Sequence, residues 1–284
     1  MIYDKSGNAL QSAYTVSGAD ASAAYDVDGV KVFSRSVKVM SFNAQGFSGI
    51  NSQSTMLNAI FSLYDADIIG FQEFCSNGSI PSVAASTLSN YPTIKLTNHK
   101  NYNGIATKLT AGAWTIADYQ TQDPYDISEW NETRCYMKTY FNIGGRQVAF
   151  FNTHLCLNST EARYAQAAEL FALAEAEEYC IITGDFNSTT APLTAETADY
   201  INEYKPFVDA GYHLANNSPT AGFTNTHSGA TSVASLAALT SALDSIIVSG
   251  NIDIDSVVFD PTKLSYQNGQ KFDHIPVVAT LTIN

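Results

Sequence analysis

The chain has 284 residues, of which 45% are hydrophobic and 14% charged, a balance that excludes a disordered chain and allows one large α/β domain or two smaller ones. Fourteen basic residues stand against 27 acidic ones, for a formal charge of -13. Such a surface repels polyanions at long range and excludes broad electrostatic capture of nucleic acid unless cations are concentrated locally.

Cys75, Cys135, Cys156 and Cys180 lie far apart with no C-x-x-C pair, so neither a zinc ribbon nor a dense disulfide framework is indicated. Each joins apolar residues and is read as a buried thiol. The start, MIYDKSGNAL, lacks a basic segment followed by an apolar stretch, and no apolar run is long enough to span a bilayer. The expectation is a soluble product, cytoplasmic by default, with no membrane insertion.

Residues 1–35 break into YDKSGNALQSA, YTVSGADASAA and YDVDGVKVFSR, starting at Tyr3, Tyr14 and Tyr25, with Gly7, Gly18 and Gly29 at matching positions. This eleven-residue period predicts short extended pieces linked by turns. Units this short bury little alone, so the arm is expected to pack on the main domain or on another chain, as a protein-partner or self-assembly element.

From Ser36 onward strands and helices alternate, giving a main domain over 36–284. VKVMSF (37–42) reads as a strand, and Asn51 and Ser52 can cap a helix with Met56, Leu57, Ile60, Phe61 and Tyr64 on one face. DIIGF is the next strand and SVAASTLSNY a helix; TIKLT, NGIATKL and GAWTIADYQ follow as shorter strands. RCYMKTYFNI and RQVAFFNTHL flank Gly144 and Gly145, a hairpin signal because both turn positions need positive φ. TEARYAQAAELFALAEAEE is the clearest helix, and CIIT, LDSIIVS, IDSVVF and IPVVATLTI complete the strands. The alternation predicts sheets covered by helices.

Polar residues sit at the strand ends. Asn43 follows the first strand, Gln72 and Glu73 follow DIIGF, Asn152 to His154 follow RQVAFF, and Asp185 and Asn187 follow CIITG. Asp244 precedes SIIVS, and Asp273 and His274 precede IPVVATL. If the last two strands run opposite to the other four, all six groups lie on one edge of the sheets.

FNAQ, FQEF, NTHL, GDFN, LDSIIVS and FDHIPVV, in this order over residues 37–284, resemble the motif series of the endonuclease/exonuclease/phosphatase superfamily, whose fold is similar to that of deoxyribonuclease I. The resemblance implies an α/β fold, a four-layered α/β/β/α sandwich of two mixed β-sheets with outer helices. It implies hydrolysis of phosphate esters with a divalent cation, Mg²⁺ first and Mn²⁺ or Ca²⁺ as substitutes. Carried over residue by residue, it makes Glu73 the principal metal ligand with Asn43 and Asp273 nearby, oxygen donors that suit a hard cation. Asp185 and Asn187 then hold the phosphate and position or activate water, and His154 and the Asp244-paired His274 flank the phosphorus. Either Asp185 or His274 is the base. Arg134 is expected at the phosphate, with Tyr136 and Asn152 as further substrate contacts and Lys108 and Lys138 as reserve cations.

His99, His213 and His227 match no motif and are read as ordinary histidines; no short His-x-x-x-His or Cys/His spacing points to zinc. Exonuclease III-type repair enzymes carry Asn, Tyr, Pro where this chain has NTHL, so the resemblance points to the deoxyribonuclease, sphingomyelinase and phosphatase branches. The expected activity is a phosphodiesterase, foremost a nuclease on DNA or RNA. A phosphatase or phospholipase-C-like enzyme is the alternative, and an inactive binding module is the least favoured reading.

Overall fold

The computed structural model describes residues 24–27, 30–33, 35–44, 60–61, 64–75, 82–98, 102–188, 202–218, 222–223, 226–227, 241–259 and 273–284. The first repeat, the second up to residue 23, the cap at Asn51 and Ser52, Met56, Leu57 and His99 lie outside these residues. At the third repeat, β1 (Ala24–Val27) pairs antiparallel with β2 (Val30–Phe33).

The first six-stranded sheet is built from β3 (Ser36–Asn43), β4 (Ile68–Cys75), β5 (Thr93–Leu96), β6 (Tyr102–Thr107), β15 (Ile252–Val258) and β16 (Val277–Ile283), in the order β15-β16-β3-β4-β6-β5. The second contains β7 (Thr115–Asp118), β8 (Cys135–Ile143), β9 (Arg146–His154), β10 (Cys180–Asp185), β11 (His213–Leu214) and β14 (Asp244–Val248), in the order β11-β14-β10-β9-β8-β7. A two-residue pair, β12 (Asn217–Ser218) and β13 (Gly222–Phe223), stands apart. Both sheets are mixed. The turn between β8 and β9 has φ of 61° at Gly144 and 83° at Gly145, the conformation its sequence predicts.

Strand alternation sorts the core into layers. Val37, Val39 and Ile68 of the first sheet meet Val148, Phe150, Ile181 and Ile246 of the second in one buried cluster between the sheets. The alternate residues face outward. Met40, Phe42 and Phe71 pack with Ile60, Phe61, Leu88 and Tyr91, the last two just after helix α1 (Ser82–Thr87). Ala149, Phe151 and Ile182 pack with Ala167, Leu170 and Ala174 of helix α2 (Thr160–Glu175), and with Phe207 of the short helix α3 (Lys205–Asp209). This is the α/β/β/α sandwich expected from the motif series.

Strand direction then places the chemistry. β3 runs parallel to β4 and β16 antiparallel to β3, while β9 runs parallel to β10 and β14 antiparallel to β10. The C-terminal ends of β3, β4, β9 and β10 therefore share an edge with the N-terminal approaches to β14 and β16. In β10, Asp185 stands in register with both His154 and Asp244.

Near that edge the apolar contact between sheets gives way to amides. Asn152, on β9 and fully buried, donates from Nδ2 to the carbonyls of Phe71 (2.8 Å) and Gly104 (3.0 Å) across the sandwich. Its Oδ1 accepts from Gln72 Nε2 (2.7 Å) and Thr183 Oγ1 (2.9 Å). Gly70 lets the sheets approach here, since a Cβ at this position would overlap Thr183 Oγ1 and sit 2.7 Å from Asn152 Oδ1. Replacing Asn152 with Leu removes four buried hydrogen bonds and leaves Thr183 with Phe151 O (3.2 Å) and Gln72 with only long contacts to Gly70 O (3.4 Å) and Ser41 Oγ (3.5 Å), at about 1 to 3 kcal/mol for each buried group left unsatisfied. The Asn152→Leu variant should lose several kcal/mol in urea unfolding, and Gly70→Ala should also destabilise; a wild-type midpoint for both would contradict the bridge.

Candidate active site

The polar edge is organised around one oxygen, Asp185 Oδ2. Asn43, at the end of β3, donates from Nδ2 to it at 2.9 Å and to Glu73 Oε1 at 3.1 Å. His154 Nε2 lies 3.6 Å away and His274 Nε2 3.8 Å away. The other Asp185 oxygen accepts from the Asn187 main-chain N–H at 2.9 Å, and the Asn187 side chain donates to Leu155 O. Glu73 and Asn187 both adopt a φ of 48°, and Glu73 sits where the pairing of β4 with β6 shifts register. Left-handed backbone at a residue other than glycine costs about 1 to 3 kcal/mol, strain of the kind that collects at functional sites.

Behind His274, its Nδ1 and Asp244 Oδ2 are 2.7 Å apart. Thr226 Oγ1 donates to the same Asp244 oxygen at 2.7 Å and accepts from the Asp244 N–H at 3.0 Å. Burial disfavours a charge on His274, yet Asp244, Asp185 and Asp273 outweigh it and push the imidazole up to about 10. His154 goes the other way. Burial, with Arg134 and His274 adding repulsion, holds it well below the usual histidine range, and its buried Nδ1 has no hydrogen-bond partner among the described residues. Burial and the neighbouring Asp244 raise the Asp185 carboxyl to about 7, against the opposing pull of His274, Asn43 and the Asn187 N–H.

These groups open on a cavity of about 530 Å³ whose wall includes Glu73, Glu132, Arg134, His154, Asp185 and Asn187. Leu157, His227, Leu243, Asp273 and His274 complete it. The loop after β9 that carries Leu157 is held by helix α2, which Ser159 caps by accepting from Ala162 N. Gln166 accepts from Cys156 N at 2.8 Å and donates to Thr121 O at 2.9 Å, and Arg163 donates to the carbonyls of Cys156 and Leu157.

The structure brings Asn43, Glu73, Arg134, His154, Asp185, Asn187, Asp273 and His274 to this cavity or into direct contact with its wall, and places Asp244 fully buried behind His274. Two expected substrate contacts are corrected. Asn152 spends its amide on the bridge between the sheets. Tyr136 is buried against Tyr119 and Phe151 and is not part of the cavity wall. The reserve cations are engaged elsewhere, because Lys108 pairs with Asp65 at 2.5 Å and Lys138 with Glu177 at 2.6 Å. Arg134 does face the cavity, but its guanidinium is already held by Asp126 (3.2 Å) and Glu132 (3.0 Å).

Sequence reasoning missed Thr226, His227 and Glu132. The segment at Thr226 and His227 carries no strand periodicity. It joins the site through backbone bonds of Thr226 and His227 with Ser241, and of Ile275 with Thr226, pairings that only the folded chain creates. Burial and the charge on His274 hold His227 below its ordinary range.

A two-sheet sandwich with carboxylates, amides and imidazoles gathered at one edge defines a class of metal-dependent phosphoric ester hydrolases. The model of the Endonuclease/Exonuclease/phosphatase family matches residues 40–266, and the chain belongs to that family, whose members use divalent metal ions. The fold is similar to an endonuclease/exonuclease/phosphatase from Bacteroides vulgatus (16% identity, TM-score 0.66), covering 88% of this chain and 99% of that one. It also resembles D. rerio TDP2 complexed with single strand DNA product (17%, TM-score 0.64), covering 87% of this chain and 99% of that one. A mannosyl-6-phosphatase from Bacteroides thetaiotaomicron is similar at 17% identity and TM-score 0.63, over 87% of this chain and 100% of that one. No curated protein sequence matches the chain. Among the described residues no helix is long and apolar enough to cross a membrane.

The raised His274 pKa makes a stability prediction for the metal-free protein. A folded-state pKa above the unfolded value of 6.5 contributes stability that is complete below pH 6.5 and is lost as pH rises through about 10. In EDTA, the melting temperature should fall across that window more steeply for wild type than for His274→Asn; parallel profiles would show that no extra proton is held.

Proposed function

We propose that this protein is a Mg²⁺-dependent phosphodiesterase in which Asp185 is the general base, and that its substrate is a nucleic-acid strand engaged through few phosphate contacts. The observation that carries the reading is the placement of Asp185 Oδ2 between His154 and His274 on one side and the Asn43–Glu73 pair on the other. The half-buried Glu73 carboxylate and the oxygen-rich wall suit a hard cation. Glu73, Asn43 and Asp273 are the residues that would hold it, and the bound ion would supply charge stabilisation to the phosphoryl oxygens.

The electrostatics favour Asp185 over His274 as the base. His274 enters already protonated at neutral pH, so it donates to phosphate oxygens and does not accept a proton. Asp185, raised to about 7, is matched to taking a proton from water near neutrality. Water oxygen forms the new bond to phosphorus, its proton passes to Asp185 Oδ2, and the bonding pair of the ester leaves with the displaced oxygen. His154, neutral, contributes a hydrogen bond without adding charge.

The substrate reading draws on D. rerio TDP2 and on the one cavity guanidinium, which two carboxylates already occupy. Few phosphates are then neutralised, so binding should depend only weakly on salt. The same observation favours a second reading, a small phosphoester held within the cavity, for which the mannosyl-6-phosphatase is the structural parallel. Plasmid nicking and cleavage of single-stranded DNA and RNA, run with Mg²⁺ beside phosphate release from nucleotides and sugar phosphates, decide between them. Intact polymers with rapid turnover of one small ester would replace the nuclease reading by the second. In either case Glu73→Gln should lower kcat/KM at least about 100-fold, on the order of 3 kcal/mol, while melting near wild type; full activity across a Mg²⁺ titration would remove Glu73 from the metal site.

A further inference from the structure

His227 lies across from His274 in an isolated antiparallel bridge. Directly opposed residues send their side chains to the same face, and the two ring centroids are 4.7 Å apart. Asp273 stands beside both, with Oδ2 at 3.9 Å from His227 Nε2 and Oδ1 at 3.9 Å from His274 Nε2. One ligand atom from each of the three residues lies within 4.8 Å of the others. All three line the cavity, and the side chains of His227 and Asp273 are 22% and 27% exposed, so a solute reaches them.

We propose that His227, Asp273 and His274 form a second cation site in the same cavity, suited to a transition metal such as Zn²⁺, Co²⁺ or Mn²⁺ rather than to Mg²⁺. Two imidazoles and one carboxylate are a donor set for first-row transition metals, whereas Mg²⁺ takes oxygen ligands and keeps its waters. Nitrogen–oxygen spans of 3.9 Å exceed the roughly 3.4 Å between ligands of a tetrahedral ion with bonds of about 2.1 Å, so the side chains close by about half an ångström when the ion binds. His274 is also oriented as a metal-bound histidine is: its Nδ1 is fixed by Asp244, which Thr226 fixes in turn, so Nε2 is the nitrogen presented to the cavity. This nitrogen-rich group shares Asp273 with the oxygen-rich set Glu73, Asn43 and Asp273, so the Asp273 carboxylate is where the two cation sites of the cavity meet.

The consequence for catalysis rests on the phosphodiesterase reading. Forming the metal–nitrogen bond expels the proton on His274 Nε2 to solvent, and His274 then ceases to donate to phosphate. Zn²⁺ added to the Mg²⁺-driven reaction should accordingly inhibit it.

Binding itself is tested without turnover. Metal-free wild type, Glu73→Gln, His227→Phe and His227→Asn are titrated with Co²⁺ and followed by its visible absorption. Wild type and Glu73→Gln should each show one nitrogen-ligated Co²⁺ per chain, and both His227 variants should bind it at least tenfold more weakly. Equal Co²⁺ affinity in folded His227 variants, or loss of the signal in Glu73→Gln, overturns the proposal. X-ray absorption of Zn²⁺-loaded wild type needs no variant: scattering from two imidazoles supports the site, and one or none refutes it. Mg²⁺-driven hydrolysis is measured separately, so a failed metal site with intact turnover leaves the phosphodiesterase reading standing, and the reverse result leaves the metal site standing.

Discussion

The active edge depends on a buried amide that ties one sheet to the other. Asn152 belongs to the second sheet, but both of its N–H donors end on carbonyls of the first, at Phe71 and Gly104. Apolar side chains between sheets tolerate sliding, because dispersion and the hydrophobic effect are non-directional. Hydrogen bonds with fixed partners do not. The bridge, with Gln72 and Thr183 on its acceptor and Gly70 clearing space, sets the relative position of β4 and β9. That position determines whether Glu73 and Asn43 reach Asp185.

Once the sheets are registered, a small group of charges settles among itself. Asp185 and Asp244 are cross-strand neighbours, an arrangement of like charges that is unfavourable unless something intervenes. His274 intervenes, bonded to one carboxylate and facing the other. Burial first, and then the Asp244 charge, raises Asp185; burial opposes the charge on His274, and the same carboxylates, Asp244 foremost, overcome it. His154 shares the cavity without sharing the charge, since burial and its cationic neighbours keep it neutral. Two histidines at one edge thus do different work because one has a buried carboxylate behind it and the other has none.

The cavity is acidic before any cation enters. Among the described residues, Glu73, Glu132, Asp185 and Asp273 line it with a single guanidinium that Asp126 and Glu132 already hold. Such a wall repels a phosphate ester and attracts a cation, which is the electrostatic logic of a metal-dependent site. On the proposed reading, phosphate recognition falls to the ion and to imidazole donors rather than to a basic surface, which is compatible with so acidic a chain.

How much was legible in the sequence follows from the range over which each feature is determined. The strands, helix α2 and the Gly144–Gly145 turn come from local periodicity and backbone preference, and six polar groups at apolar strand ends announced the edge where the site lies. Their order along the chain carried the family and its fold. The role of Asn152 was not legible, because NTHL presents the amide and the imidazole two residues apart on one face of β9, and only the packed sheets show that Asn152 lies deep enough to bond the facing sheet while His154, at the strand end, reaches the cavity. Tyr136 was misplaced for a different reason: strand alternation turns it to the outer face of β8, where it packs against Tyr119 and Phe151. Thr226 and His227 were invisible because their segment has no periodicity and meets His274 through pairing between residues far apart in sequence. The sequence by itself determined which residues could do the chemistry and along which edge they would lie. Only the tertiary structure decided which of them carry charge, which face the cavity and which hold the sheets together, since burial, hydrogen-bond partners and neighbouring charges exist only after distant segments have met.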